Sequence, residues 1–138
     1  MTLLVCVDDR GGMLFNHRRQ SQDRAVREDL LREAAGAKLL MNAYSAGQFK
    51  SDAHIICTED CLARAGEREY CFVENLDLRA YADRIGKVIV YRWNRVYPAD
   101  VYFPLSLKSA PWKLIATTEF SGSSHEKITK EVYIHENI

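Results

Sequence analysis

The side chains best suited to chemistry are concentrated in residues 11–23, GGMLFNHRRQSQD, where Asn16, His17, Arg18, Arg19, Gln20 and Ser21 lead into the carboxylate of Asp23. Paired arginines suit bidentate contact with a phosphate or a carboxylate. The amide, hydroxyl and imidazole groups beside them add donors and acceptors, and Met13 and Phe15 add apolar surface. Asp23 is the best single candidate for a catalytic group. It lies three, seven and eleven positions before Val26, Leu30 and Ala34, so it shares their apolar helical stripe and is expected to face a cleft. There a carboxylate is expected to have a raised pKa and to act as general acid or base. The same residue also suits a helix N-cap, which needs no ligand. Residues 11–23 read equally as a solvated loop and as a mobile wall hinged on Gly11 and Gly12.

The elements that must hold this segment follow from hydrophobic periodicity. Apolar runs at 3–8, 38–41, 54–57, 70–73 and 87–93 are expected strands. Helices are expected at 23–36, ending at Gly36, after 41 with Ser45 helping to start it, at 59–66 with Thr58 as its cap, and at 76–86 ending in Gly86. Arg24 with Glu28, and Glu28 with Arg32, are spaced as ion pairs on the outer face of the first helix. Alternation of strand and helix through residue 93 implies an α/β fold with a mostly parallel sheet and helices on both faces. Two β-rich runs, 112–120 and 127–136, joined by SGSSHE, are expected to add an antiparallel hairpin at the sheet edge.

Bulk composition narrows the function classes. The 138 residues, 47% of them hydrophobic, suit one domain spanning 1–138. Nineteen basic and nineteen acidic residues give zero net charge, which argues against a nucleic-acid or membrane-surface partner. The start, MTLLVCVDD, lacks the features of a secretory signal, and no apolar run approaches the roughly 18 residues of a membrane span. A cytoplasmic protein with reduced thiols is expected, with Cys6 and Cys71 in the core. Cys57 and Cys61 lack the partners of a zinc site, so no metal is expected. Trp93, flanked by Arg92, Asn94 and Arg95, reads as a strand end with exposed polar neighbours, the one patch with an RNA-stacking composition.

Several motifs in order carry a family resemblance: VDDRGGM, QSQDRAVREDLL, LLMNAYS, VENLDLRAY, ADVYFP and WKLIATTEFSGSSHEKITKEVYI. Together they resemble a shortened, divergent dihydrofolate reductase over nearly the whole chain. The resemblance implies that fold, a central mostly parallel sheet flanked by helices with a C-terminal antiparallel hairpin. It implies a helix-borne acid at Asp23 that promotes protonation of a substrate ring. It also implies that the C-terminal hairpin loop packs near the first loop, so that His125 and His17 meet across a cleft and join Asp23 as candidate catalytic groups. Met13, Phe15, Asn16, Arg18, Arg19, Gln20, Ser21, Arg27 and Ser45 are the candidate ligand-binding residues, Ser45 offering a hydroxyl and a helix N-terminus to an anion. The family's cofactor is NADPH. Asn42 and Ala43 stand where the family has a glycine and an arginine, and Glu74 and Asn75 replace its paired glycines. Side chains there obstruct a pyrophosphate and Glu74 repels it, which argues against NADPH binding in the family's manner.

Three functions follow. The first is a reductase-fold protein with a degenerate dinucleotide site, binding a small polar, anionic or heteroaromatic ligand in a cleft lined by residues 13–23. The second is an NAD(P)H-dependent, pterin-type oxidoreductase using Asp23. The third is a protein- or RNA-interaction module using Arg18 and Arg19. The pattern MLFNxRRQSQD also resembles sequences that carry the label ribonuclease Z. That chemistry needs a His-x-His-x-Asp-His metal motif, which the scattered His17, His54, His125 and His135 do not supply.

Overall fold

The computed structural model describes residues 1–50 and 53–136. Its central strand is β1, Thr2–Val7, which is apolar on both faces because both are covered. Leu3, Val5 and Val7 point into one core and Leu4 into the other. Parallel neighbours are β6, Tyr70–Phe72, on one side and β7, Lys87–Arg92, on the other. Beyond β6 lie β4, Leu39–Met41, and β5, Ile56–Cys57, also parallel. Beyond β7 come the antiparallel strands β10, Ile128–His135, and β9, Trp112–Phe120. Among the described residues the sheet order is therefore β5-β4-β6-β1-β7-β10-β9, with the expected C-terminal hairpin at its edge.

Helices cover both faces. Helix α1, Arg24–Glu33, lays Val26 and Leu30 on the core that contains Leu4, Met41 and Tyr91. Burying such side chains contributes roughly 1.5–3 kcal/mol each, so this face fixes where α1 begins. Helix α3, Cys61–Arg64, places Cys61 and Leu62 on the opposite core with Cys71 and Val73. Helix α2, Ala43–Ala46, follows β4 directly.

The finer expectations needed correction. Helix α1 ends at Glu33 with Ala34 as its C-cap, and Gly36, at φ +85°, lies in the following turn. Of the two expected outer ion pairs, Arg24 and Glu28 stand 3.8 Å apart, while Arg32 turns to Asp29 at 3.5 Å. Helix α2 is capped by Asn42, whose side chain accepts from Ser45 N–H, so Ser45 lies inside the helix and does not start it. The N-cap position of α3 is Asp60, and the Thr58 hydroxyl donates to the Asp60 carboxylate instead of capping backbone. The helix expected at 76–86 is a 3₁₀ turn, Arg79–Arg84, with no buried residue; without an apolar stripe to bury, the longer α form gains nothing.

The largest surprise is in residues 11–23. They form strands β2, Gly12–Phe15, and β3, Arg18–Arg19, which with β8, Val101–Tyr102, make a second antiparallel sheet. The two-residue turn is Asn16 and His17, at φ 52° and 64°, the left-handed pair of a type I′ hairpin. Gly12 is locked, not hinged. A Cβ there would stand 2.6 Å from Gln20 Nε2 and 2.7 Å from Ala99 Cβ.

Candidate functional site

Parallel strands present their C-terminal ends to one edge of the sheet, where ligands of open α/β folds bind. Here those ends deliver Asp8 after β1, Asn42 after β4, Glu74 just beyond β6 and Trp93 after β7. The β2–β3 hairpin and the loop between β9 and β10 close over them.

Asp23 is the hub of one network. It is the N-cap of α1 and is 2% exposed. Its Oδ1 accepts from Ala25 N–H at 2.8 Å, Val26 N–H at 3.4 Å and Ser123 N–H at 2.9 Å. Its Oδ2 accepts from Ser124 N–H at 2.8 Å and from His125 Nδ1 at 2.9 Å. A carboxylate only accepts, so the imidazole proton sits on Nδ1. Nε2 then faces the Ser21 hydroxyl at 3.1 Å and the Tyr97 hydroxyl at 2.9 Å. The ring stacks on Trp93 with centroids 4.6 Å apart. Gly122 permits the approach: a Cβ there would lie 2.7 Å from Asp23 Oδ2.

This surrounding reverses the expected pKa. Burial pushes the Asp23 carboxyl up, but the bonds from His125, Ser123, Ser124 and Ala25 outweigh it and hold the group at about 2. Asp23 therefore stays ionised and does not carry a proton at neutral pH. Its N-cap role is formed, and its carboxylate ties α1 to the C-terminal hairpin.

Glu74 is the hub of the second network. Buried beside β6, it accepts from Arg19 Nε at 2.9 Å and Arg19 Nη2 at 3.1 Å. Its Oε1 also accepts from the Ser45 hydroxyl at 2.8 Å and Gln48 Nε2 at 3.0 Å. The Arg19 guanidinium lies 4.3 Å over the Tyr44 ring and donates to Tyr44 O at 3.0 Å. Nearby, Asn42 Nδ2 donates to Asn75 Oδ1 at 2.8 Å, and Ala43 N–H at the start of α2 donates to Glu59 at 2.8 Å.

No family model matches the sequence, and no curated protein matches it. Among solved structures, dihydrofolate reductase from Enterococcus faecalis, complexed with NADP(H) and RAB-propyl, matches with a TM-score of 0.66. The match covers 96% of this chain and 94% of that one, at 10% identity. The fold is that of dihydrofolate reductase.

On this dihydrofolate reductase fold the candidate residues divide into separate places. Ser21, Asp23 and His125 converge. Arg19 and Ser45 join at Glu74. Gln20 donates to Asp8 Oδ2 at 3.0 Å, and Asp8 also accepts from Gly12 N–H at 2.8 Å, which holds the hairpin base. Arg27 is half-buried and bonded to Gln22. It lines, with Ser21, Asp23, Gln48, Glu74 and Trp93, a cavity of about 10 Å³, room for about one water. Phe15 and Arg18 are exposed, and Asn16 N–H donates to Asp100 at 3.0 Å. Met13 and His17 line an open groove of about 450 Å³ with Asn75, Arg79, Asp100 and Tyr102. The expected meeting of His17 with His125 is not formed, because the hairpin turn carries His17 to that groove while the loop buries His125.

Asn94 and Arg95 are exposed, as expected of the strand end, but Trp93 is buried at 3% exposure against His125 and Arg92 pairs with Glu131, so the ring is not open to a stacking base. Trp93 and Tyr97 belong to the Asp23 network without any local signal in the sequence. Glu74 did carry one: a lone charge just after an apolar strand, at the sheet edge where sites form. No helix among the described residues is long and apolar enough to cross a membrane.

Proposed function

We propose that the protein binds a small heteroaromatic ligand in the groove between the β2–β3 hairpin and the end of β6. The groove itself carries this reading: about 450 Å³ is within the range of small-molecule sites. Tyr102 offers an exposed ring, Met13, Leu14 and Pro104 an apolar wall, and Asn75 and Asp100 polar edges. An anion is disfavoured there, because Glu74, Asp77 and Asp100 line the groove and Arg79 is held by Asp77 at 2.7 Å.

The residues do not fit a dinucleotide. Glu74 fills the turn where a pyrophosphate needs glycine, and its carboxylate already takes the Ser45 hydroxyl. Glu59 takes the Ala43 N–H at the start of α2. Asp23, ionised and fully bonded, likewise offers no proton to a substrate ring. The interaction-module reading loses Arg19, whose guanidinium is committed to Glu74 and Tyr44.

Thermal melts with adenosine, guanosine, cytidine and pterin test the proposal. A ligand at 100 times its Kd stabilises the native state by about 2.7 kcal/mol. At least one probe is expected to raise Tm saturably in the unaltered protein, and Tyr102→Ala is expected to remove most of that rise. No response to any probe, or a response that Tyr102→Ala leaves intact, overturns the proposal.

A further inference from the structure

The Asp23 network has the geometry of a nucleophile and its base, a feature separate from the ligand groove. Three side chains from two chain segments lie in line. Asp23 Oδ2 stands 2.9 Å from His125 Nδ1, and His125 Nε2 stands 3.1 Å from Ser21 Oγ. In that order a carboxylate fixes the imidazole tautomer, and the free nitrogen can take a proton from a serine hydroxyl. The orienting groups are rigid: the His125 and Asp23 side chains are 2% and 0% exposed, and Trp93 holds the imidazole by stacking at an interplanar angle of 22°. Ser21 is half-buried and is the least buried residue of the three. Arg27 lines the small cavity beside Ser21, and among the described residues its guanidinium has no carboxylate partner.

We propose that Ser21 is an acyl-accepting nucleophile, with His125 as its general base and Asp23 as the positioning residue that holds His125. Its substrates are small esters that reach Ser21 from the solvent side, because the cavity of about 10 Å³ behind it has room for only about one water. Ser21 Oγ forms a bond to the ester carbonyl carbon while its proton moves to His125 Nε2. The carbon–oxygen bond to the leaving alcohol then breaks, and that alcohol departs with the proton from Nε2. Water repeats the sequence on the acyl-serine, releasing the acid and restoring both groups. The positive charge of Arg27 favours the oxyanion of each tetrahedral intermediate. Tyr97 shares Nε2 at 2.9 Å and competes with Ser21 for its single lone pair. It therefore restrains the reaction.

The experiment uses the full chain with p-nitrophenyl acetate, following release of p-nitrophenolate and mapping the acetyl group by peptide mass spectrometry. A burst with acetylation at Ser21 is expected, lost in Ser21→Ala. His125→Gln is expected to slow acylation at least about 100-fold. Asp23→Asn is expected to lower the rate at saturating ester while leaving KM unchanged. Tyr97→Phe is expected to speed acylation several-fold, whereas a purely structural network predicts no gain. Melting curves accompany each variant, and where His125→Gln does not fold, the Tyr97→Phe comparison decides. Absence of acetylation at Ser21, a rate unchanged in folded His125→Gln, or no gain in Tyr97→Phe overturns the proposal. None of these outcomes depends on whether the groove near Tyr102 binds a ligand.

Discussion

Replacing Asp23 by asparagine separates a structural tie from a proton-carrying acid. The carboxyl is held at about 2 against an ordinary 3.8, a difference of about 1.8 pKa units, or about 2 kcal/mol of native-state preference for the charged form. The amide keeps Oδ1 for Ala25, Val26 and Ser123 but turns an N–H₂ group toward Ser124 N–H and His125. His125 can change tautomer to accept from it; Ser124 N–H cannot. An unsatisfied buried donor adds about 1–3 kcal/mol, so Asp23→Asn is expected to cost about 3–5 kcal/mol at pH 7. Because the folded pKa is depressed, the charge-dependent part is fully present above the unfolded pKa and fades as pH falls through the folded one. The gap between the two proteins in urea unfolding, followed by circular dichroism, is therefore expected to shrink by about 2 kcal/mol from pH 5 to pH 2. An Asp23→Asn protein as stable as the original, or a gap independent of pH, refutes the reasoning. Increased stability would mean that Asp23 is strained for catalysis and does not tie the fold.

Other perturbations probe the surrounding structure. Arg19→Ala leaves buried Glu74 without its cation, and urea unfolding is expected to show a loss of about 2 kcal/mol. That is less than the roughly 3–5 kcal/mol of a fully buried pair, because Ser45 and Gln48 still donate to Glu74. Gly122→Ala drives a Cβ to 2.7 Å from Asp23 Oδ2 and His125 O, and a loss of about 1–3 kcal/mol is expected in the same assay. His17→Gly relieves the left-handed strain at φ 64°, so Tm is expected to rise by the equivalent of about 1 kcal/mol. Leu30→Ala, at a site 1% exposed, is expected to cost about 2–5 kcal/mol.

How far the sequence could be read depended on whether the deciding contacts were local. The apolar runs of β1 and β7 and the stripe of Val26, Leu30 and Ala34 show their burial in their own periodicity, so the parallel sheet and α1 were legible. The N-cap role of Asp23 was legible for the same reason. Its pKa was not, because the donors that depress it, Ser123, Ser124 and His125, arrive from 100 to 102 residues away. The β2–β3 hairpin was missed because its turn uses Asn16 and His17 where glycine would have signalled the left-handed pair, and because its partner β8 lies far along the chain. Glu74 was expected to repel a phosphate. It stands in the bend after β6, and the sequence did not reveal that Arg19, Ser45 and Gln48 would gather around it.

On the proposed reading, Glu74 and Glu59 close this reductase fold to a dinucleotide. Calorimetric titration of the full chain with NADPH tests it most directly. The expected result is no saturable heat up to about 1 mM, since Glu74 and Glu59 already hold the donors that a pyrophosphate would need. A saturable isotherm with a Kd in the micromolar range would contradict it.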